Sequence, residues 1–211
     1  MNLFYVPLIL ILISLYSGHV RSQKSVFSDT EYTYHIAQTQ VYRAEQDLKF
    51  KNEEKSPLIL DSIPNFNGLE YFEIDPGYIV PATYKHLKNG RVFEMKTTTE
   101  RLPEYRDYAE LTFKLGDSTY VLHAYQNLAF SQKPDYDSSL FVPFTDFTNG
   151  IESYGGGRYM DIKIPKGNLL ILDFNRSYNP YCAYNERYSC PVPPEENKLK
   201  LRIEAGVLKY H

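Results

Sequence analysis

The 211-residue chain carries 23 Lys and Arg against 26 Asp and Glu, a net charge of -3, and 43% of its residues are hydrophobic. That length and balance suit one globular core, and the slight acidity leaves no basic excess with which to grip a nucleic acid backbone or an anionic membrane surface. Twenty Tyr and twelve Phe with no Trp favour strands and half-wet surfaces over helical bundles.

Residues 1–22 differ from the rest. An apolar run, "LFYVPLILILISLYSG", is followed by the polar "HVRSQK", which predicts a secretory signal peptide over 1–22 and a secreted or periplasmic protein. The run falls short of the roughly 20 residues of a spanning helix, and no Cys follows it to take a lipid. Cleavage takes away Arg21 and no acid, so the charge falls from -3 to -4. In an oxidising compartment Cys182 and Cys190 are expected to form a disulfide closing a small loop, worth on the order of 2.5 kcal/mol. Their C-x7-C spacing matches neither a zinc ribbon nor a thioredoxin motif.

Residues 23–211 read as a single β-rich domain with one N-terminal amphipathic helix at about 31–50. There Tyr34, Ala37, Val41, Ala44 and Leu48 recur at the three-and-four spacing of an inward stripe. Asp29 or Thr30 is placed to cap it, and Ser56 before Pro57 lies beyond its end. From residue 66 the pattern turns to short apolar segments divided by turn signals: "LEYFEI", "YIVPATYKHL", "RVFEMKTTT", "AELTFKL", "STYVLHAY", "RYMDIKI", "NLLILDFN" and "KLKLRIEAGVLKY". The fourth and fifth form a hairpin through Gly116 and Asp117. Leu111, Phe113 and Leu115 share one face of its first arm, while His123 lies opposite Tyr120, Leu122 and Ala124 in the second. Seven to nine strands predict a mainly β fold, either an antiparallel β-sandwich or a curved partial barrel, with the helix across an edge or an open end.

Three dense blocks follow: "FVPFTDFTNGIESYGGGRYMDI", "LDFNRSYNPYCAYNERYSCPVPPEENKL" and "LRIEAG", with "SPL" and "FNGLEYF" upstream. Together they resemble the bacterial and archaeal family catalogued as domain of unknown function 1684, over nearly the whole chain after residue 22. Ser177 stands where the family pattern has Ala, and Val207 where it has an acid. The resemblance implies membership and no activity.

The chemistry is therefore read from the residues. In the strand after the glycine run, Arg158 shares a face with Met160, Ile162 and Ile164, and a guanidinium so placed needs an acceptor such as Asp146, Glu152 or Asp173. Either an ion pair pins the loops, or the Arg is a fork for an anionic ligand. Asn175 and Asn179 suit local turns. Tyr178, Tyr181, Tyr184 and Tyr188 form either a lid or a stacking platform. The ligand-binding candidates are Asp146, Glu152, Tyr154, Arg158, Asp173, Asn175, Tyr178 and Asn179.

No recognised nucleophile, metalloprotease, P-loop or dinucleotide motif is present, and His35, His86, His123 and His211 are scattered, so neither metal nor cofactor is predicted. The leading expectation is a domain binding a small molecule, sugar or peptide, in a pocket roofed by residues 175–197 and floored by Arg158. One alternative is a hydrolase with paired carboxylates from Asp146, Glu152, Asp161 and Asp173. Another is a structural or partner-binding envelope protein.

Overall fold

In a computed structural model, which describes residues 27–131 and 139–210, helix α1 spans Asp29–Lys51. The expected signal peptide lies outside the described residues. The helix starts where Ser28 accepts from the Glu31 backbone N–H and Glu31 returns a bond to the Ser28 N–H, a capping box that satisfies two orphan donors. The cap is thus Ser28, one residue before the candidates Asp29 and Thr30.

The predicted inward stripe of α1 faces solvent. Tyr34, Val41 and Leu48 are 61%, 51% and 69% exposed, and Ala37 and Ala44 are exposed as well. The inward face is polar because it meets loop backbone rather than an apolar sheet. Arg43 donates to the carbonyls of Phe72 and Asn175, Thr39 to Asp173, and Asp47 accepts from the Leu69 N–H. Buried backbone groups must be paired, so these bonds outweigh burial of a few apolar side chains. Phe50 anchors the helix hydrophobically, against Phe66 and Tyr184. Val41→Lys is accordingly expected to shift unfolding by no more than about 0.5 kcal/mol in a urea titration; a loss several times larger would show that the stripe is covered.

The strands form one antiparallel sheet of seven, in the order β6-β5-β4-β3-β1-β7 with β2 beside β3. They are β1 (Ile79–His86), β2 (Val92–Glu94), β3 (Glu104–Leu115), β4 (Ser118–Asn127), β5 (Ser139–Phe144), β6 (Arg158–Lys163) and β7 (Leu169–Asp173). The sheet curls into a half-barrel, so of the two expected architectures the partial barrel is observed and the sandwich is not. The β3–β4 hairpin pairs Leu115 with Ser118 around Gly116 and Asp117, as expected. A register shift between Asp107 and Ala109 marks where the β3 edge passes from β2 to β1.

One face of the sheet carries the main core, where Leu111, Phe113, Leu122, Val142, Met160 and Leu172 meet Phe174, Leu199, Ile203 and Ala205. Two expected strands differ from the observation. "LEYFEI" contributes only an isolated bridge from Tyr71 to Val207. "KLKLRIEAGVLKY" crosses the core without joining the sheet, because its backbone groups are taken by loop backbone at Leu199, Leu201 and Gly206 to Lys209 and by side chains at Ile203 and Ala205. Conversely β5, which the turn signals do not isolate, is a full strand paired to β6.

Candidate functional site

Most of the predicted site residues prove to be the fasteners of that irregular backbone. Arg158 is fully buried. It donates to the carbonyls of Ala205 and Ile203, to the Thr148 hydroxyl and, at 2.7 Å, to Asp146. Asp146 accepts in turn from the backbone N–H groups of Ile203 and Thr148. A guanidinium and a carboxylate thus stand where a neighbouring strand would, which is why residues 203–205 need no ladder.

The asparagines repeat the device. Asn175 accepts from the Asp75 N–H and donates to the Asp75 carbonyl, and Asn179 donates to the Leu208 carbonyl. Asn197, not singled out from the sequence, accepts from the His123 N–H and donates to the carbonyls of His123 and Pro143. Asp173 is bonded to Thr39, Arg176 and the Asn175 N–H, and Glu152 pairs with Arg202. The expected pairing of Arg158 with Asp146 is thus present, while Glu152 and Asp173 have cationic partners of their own.

The other face of the sheet holds a cavity of about 600 Å3. Helix α1 contributes Tyr42, Gln46 and Lys49 to its wall, and the sheet contributes Tyr105, Tyr125, Phe141, Tyr159 and Asp161. The 175–197 segment closes it with Tyr178, Pro180, Tyr181 and Tyr188, and is held to β6 by reciprocal backbone bonds between Tyr159 and Tyr178. Pleating explains the lining: Arg158 and Met160 enter the core, so Tyr159 and Asp161 point the other way. Of the eight predicted residues, only Tyr178 lines this cavity, and its floor is Tyr159 and Asp161 instead of Arg158. Asp161, weighed from the sequence only as one of four acids, is detectable there by its parity opposite Arg158. A second cavity of about 550 Å3 over β1 and β3 has no carboxylate in its wall.

The aromatic wall is braced edge to face, Phe141 to Tyr159 at 4.6 Å and Tyr159 to Tyr178 at 5.8 Å between ring centres. Burial raises the hydroxyls of Tyr42, Tyr159 and Tyr178 well above the usual phenol range, so they are neutral at pH 7. Asp161 is the single carboxylate and Lys49 the single cation in the described lining. The Tyr178 hydroxyl donates to Asp161 at 2.6 Å.

Asp161 is an exposed residue, yet protein lies close around its carboxyl. That desolvation raises it above the usual carboxylate range, against the opposing pull of Tyr178, Lys49 and Lys163. An acid whose pKa is raised on folding holds its proton more tightly in the folded state, so its ionisation costs stability as pH climbs from its unfolded pKa through its folded one. Asp161→Asn is therefore expected to raise the Tm modestly at pH 7, solvent screening keeping the gain small, with the difference shrinking as acid protonates the wild type. A Tm lowered by the change at pH 7 would show that the charge is compensated.

Cys182 and Cys190, the pair expected to bridge, lie next to each other as thiols. Eight residues apart, they are brought together by the 3-10 turn Tyr181–Ala183, and the Cys182 N–H lies 3.1 Å from the Cys190 sulfur. Hydrogen bonding from the Cys190 thiol lowers the Cys182 thiol to about 6 and raises that of Cys190, with Tyr154 and Thr98 also bonding to Cys182. Tyr154, a predicted ligand residue, places its hydroxyl 3.7 Å from the Cys182 sulfur. Among the described residues no three His, Cys, Asp or Glu side chains gather as metal ligands, and no helix is long and apolar enough to cross a membrane.

A family model described as protein of unknown function (DUF1684) matches residues 64–208. The solution NMR structure of an uncharacterised protein of Haloarcula marismortui is 36% identical to the chain, with a TM-score of 0.68 over 86% of this chain and 97% of that one. No curated protein matches significantly.

Proposed function

Because the chain belongs to the DUF1684 family of proteins of unknown function, a membership that brings no activity, we propose from its own chemistry that it is an exported small-ligand binding domain. The observation that carries this reading is the tyrosine-walled cavity of about 600 Å3, which lies within the range of roughly 300 to 1,000 Å3 of small-molecule sites. Its roof is the 175–197 segment. Among the described residues the paired-carboxylate hydrolase has only one acid at this cavity, since Asp146, Glu152 and Asp173 are bonded elsewhere. A thermal-shift screen of sugars, carboxylates, amines and short peptides tests the reading. A ligand at 100 times its dissociation constant adds about 2.7 kcal/mol, several degrees of Tm, and Tyr181→Ala should reduce that shift. A screen in which no compound moves the Tm sinks the proposal.

Export and a Cys182–Cys190 disulfide belong to the same reading, supported by the apolar amino-terminal run and by the adjacency of the two thiols. Oxidation removes one hydrogen from each sulfur and passes two electrons to a disulfide donor of the compartment. Protein recovered unreduced from the periplasm or medium should be lighter than its reduced form by two hydrogens. Labelling of both thiols without reductant would refute the bridge.

A further inference from the structure

We infer that the cavity receives an organic cation, an ammonium head group of the choline type, against the faces of its tyrosines with Asp161 as counter-charge. The inference rests on the ligand-binding reading of this cavity. Aromatic faces carry the negative lobe of the ring quadrupole, and several of them around one point attract an ammonium. Here Tyr159, Tyr178 and Tyr181 line a space in which, among the described residues, Asp161 is the one anionic group and Lys49 the one cation.

Three further observations separate a cation from other occupants. First, the described partner of the Asp161 carboxylate is a neutral hydroxyl, that of Tyr178, while an ionised carboxyl offers about four acceptor sites. Lys49 and Lys163 act on it only across a distance and do not offset its desolvation. An ionised carboxyl so close to protein is costly to the extent that it loses water, and a cation beside it offsets that cost. Second, the Lys49 ammonium lies over the Tyr181 ring at 5.1 Å, so a ring of this wall already takes a cation of the chain's own, which the ligand's head group displaces or shares the wall with. Third, a neutral sugar would stack on the same rings but leave the Asp161 charge unanswered, and an anion would meet that charge directly.

The test uses the full chain labelled with 15N, titrated with choline, tetramethylammonium and glucose, against sodium chloride at matched ionic strength. Both ammonium ions are expected to move the amides of Tyr159, Asp161, Tyr178 and Tyr188, leaving Leu111 and Phe113 in the core unmoved. Asp161→Asn keeps an acceptor for Tyr178 and removes the charge. It is expected to weaken choline about tenfold, the effect of about 1.4 kcal/mol. Tyr181→Leu keeps an apolar wall without a ring face and should weaken it about three- to tenfold. Equal affinity in the Asp161→Asn chain overturns the inference. If glucose or another neutral compound from the screen moves the cavity amides and neither ammonium ion does, the binding domain stands and the cation falls. If no compound moves them, both fall.

Discussion

Replacing Arg158 by alanine is expected to destabilise the domain by about 3 to 5 kcal/mol, the cost of breaking a buried ion pair from one side. The side chains of Arg158 and Asp146 are both 0% exposed. Without the guanidinium, the Asp146 carboxylate loses its compensating charge, and the Ala205 and Ile203 carbonyls lose their donors. The space between Phe72 and Phe144, whose rings flank the guanidinium at 5.9 and 5.4 Å, empties as well. For a chain of this size each kcal/mol moves the Tm by about 2 to 4 °C, so the loss is on the order of 10 °C. Arg158→Lys keeps the charge but cannot reach two carbonyls and a carboxylate from one nitrogen, and should fall between wild type and alanine. Replacing Arg158 and Asp146 together by apolar residues should cost less than the two single changes summed, because no charge is then orphaned. An unfolding midpoint unchanged in the alanine variant would remove this pair from the account of why residues 203–205 lie where they do.

The glycine run before Arg158 gives the second large effect, and it is largest at the last member, since a Cβ on Gly156 would meet the Tyr154 side chain at 2.6 Å while one on Gly157 would meet backbone. Gly157 has φ +91°, and a Cβ there would stand 2.6 Å from the Phe144 carbonyl oxygen and 2.9 Å from Pro193. Gly157→Ala combines a left-handed conformation costing about 1 to 2 kcal/mol with crowding of about 1 to 3 kcal/mol, so a loss of about 2 to 5 kcal/mol is expected in urea unfolding. Gly155 is outside the left-handed region, and its Cβ would meet only Gly150 at 3.8 Å. Gly155→Ala should stay within about 0.5 kcal/mol of wild type. Similar losses at both positions would mean that the whole run, not its last residue, sets the approach of β6 to Phe144.

Much of the sheet was legible because alternation along a strand is a local property. Leu111 and Phe113, Leu122 and Ala124, Leu172 and Phe174, and Arg158 with Met160 all face the core as the period of two requires. The same rule, followed one residue on, places Tyr159 and Asp161 on the opposite face. Which face would hold a cavity was not legible, since that depends on where α1 and the 175–197 segment cross the sheet.

The helix shows the limit most clearly. Spacing identified α1, yet its apolar stripe faces water, because burial is settled by what a helix packs against and α1 packs against loop carbonyls that require Arg43 and Thr39. The last segment fails as a strand for the same reason: Arg158 and Asp146 satisfy the backbone of Ile203 and Ala205, and loop backbone takes the groups on either side. Composition, alternation and turn residues by themselves determined a mainly β chain with one helix and the correct inward side of most strands. Only the tertiary structure decided which side of α1 is buried, which acid faces the cavity and which polar groups are fasteners. Each of those depends on hydrogen-bond demands from residues up to a hundred or more positions away, which no local periodicity encodes.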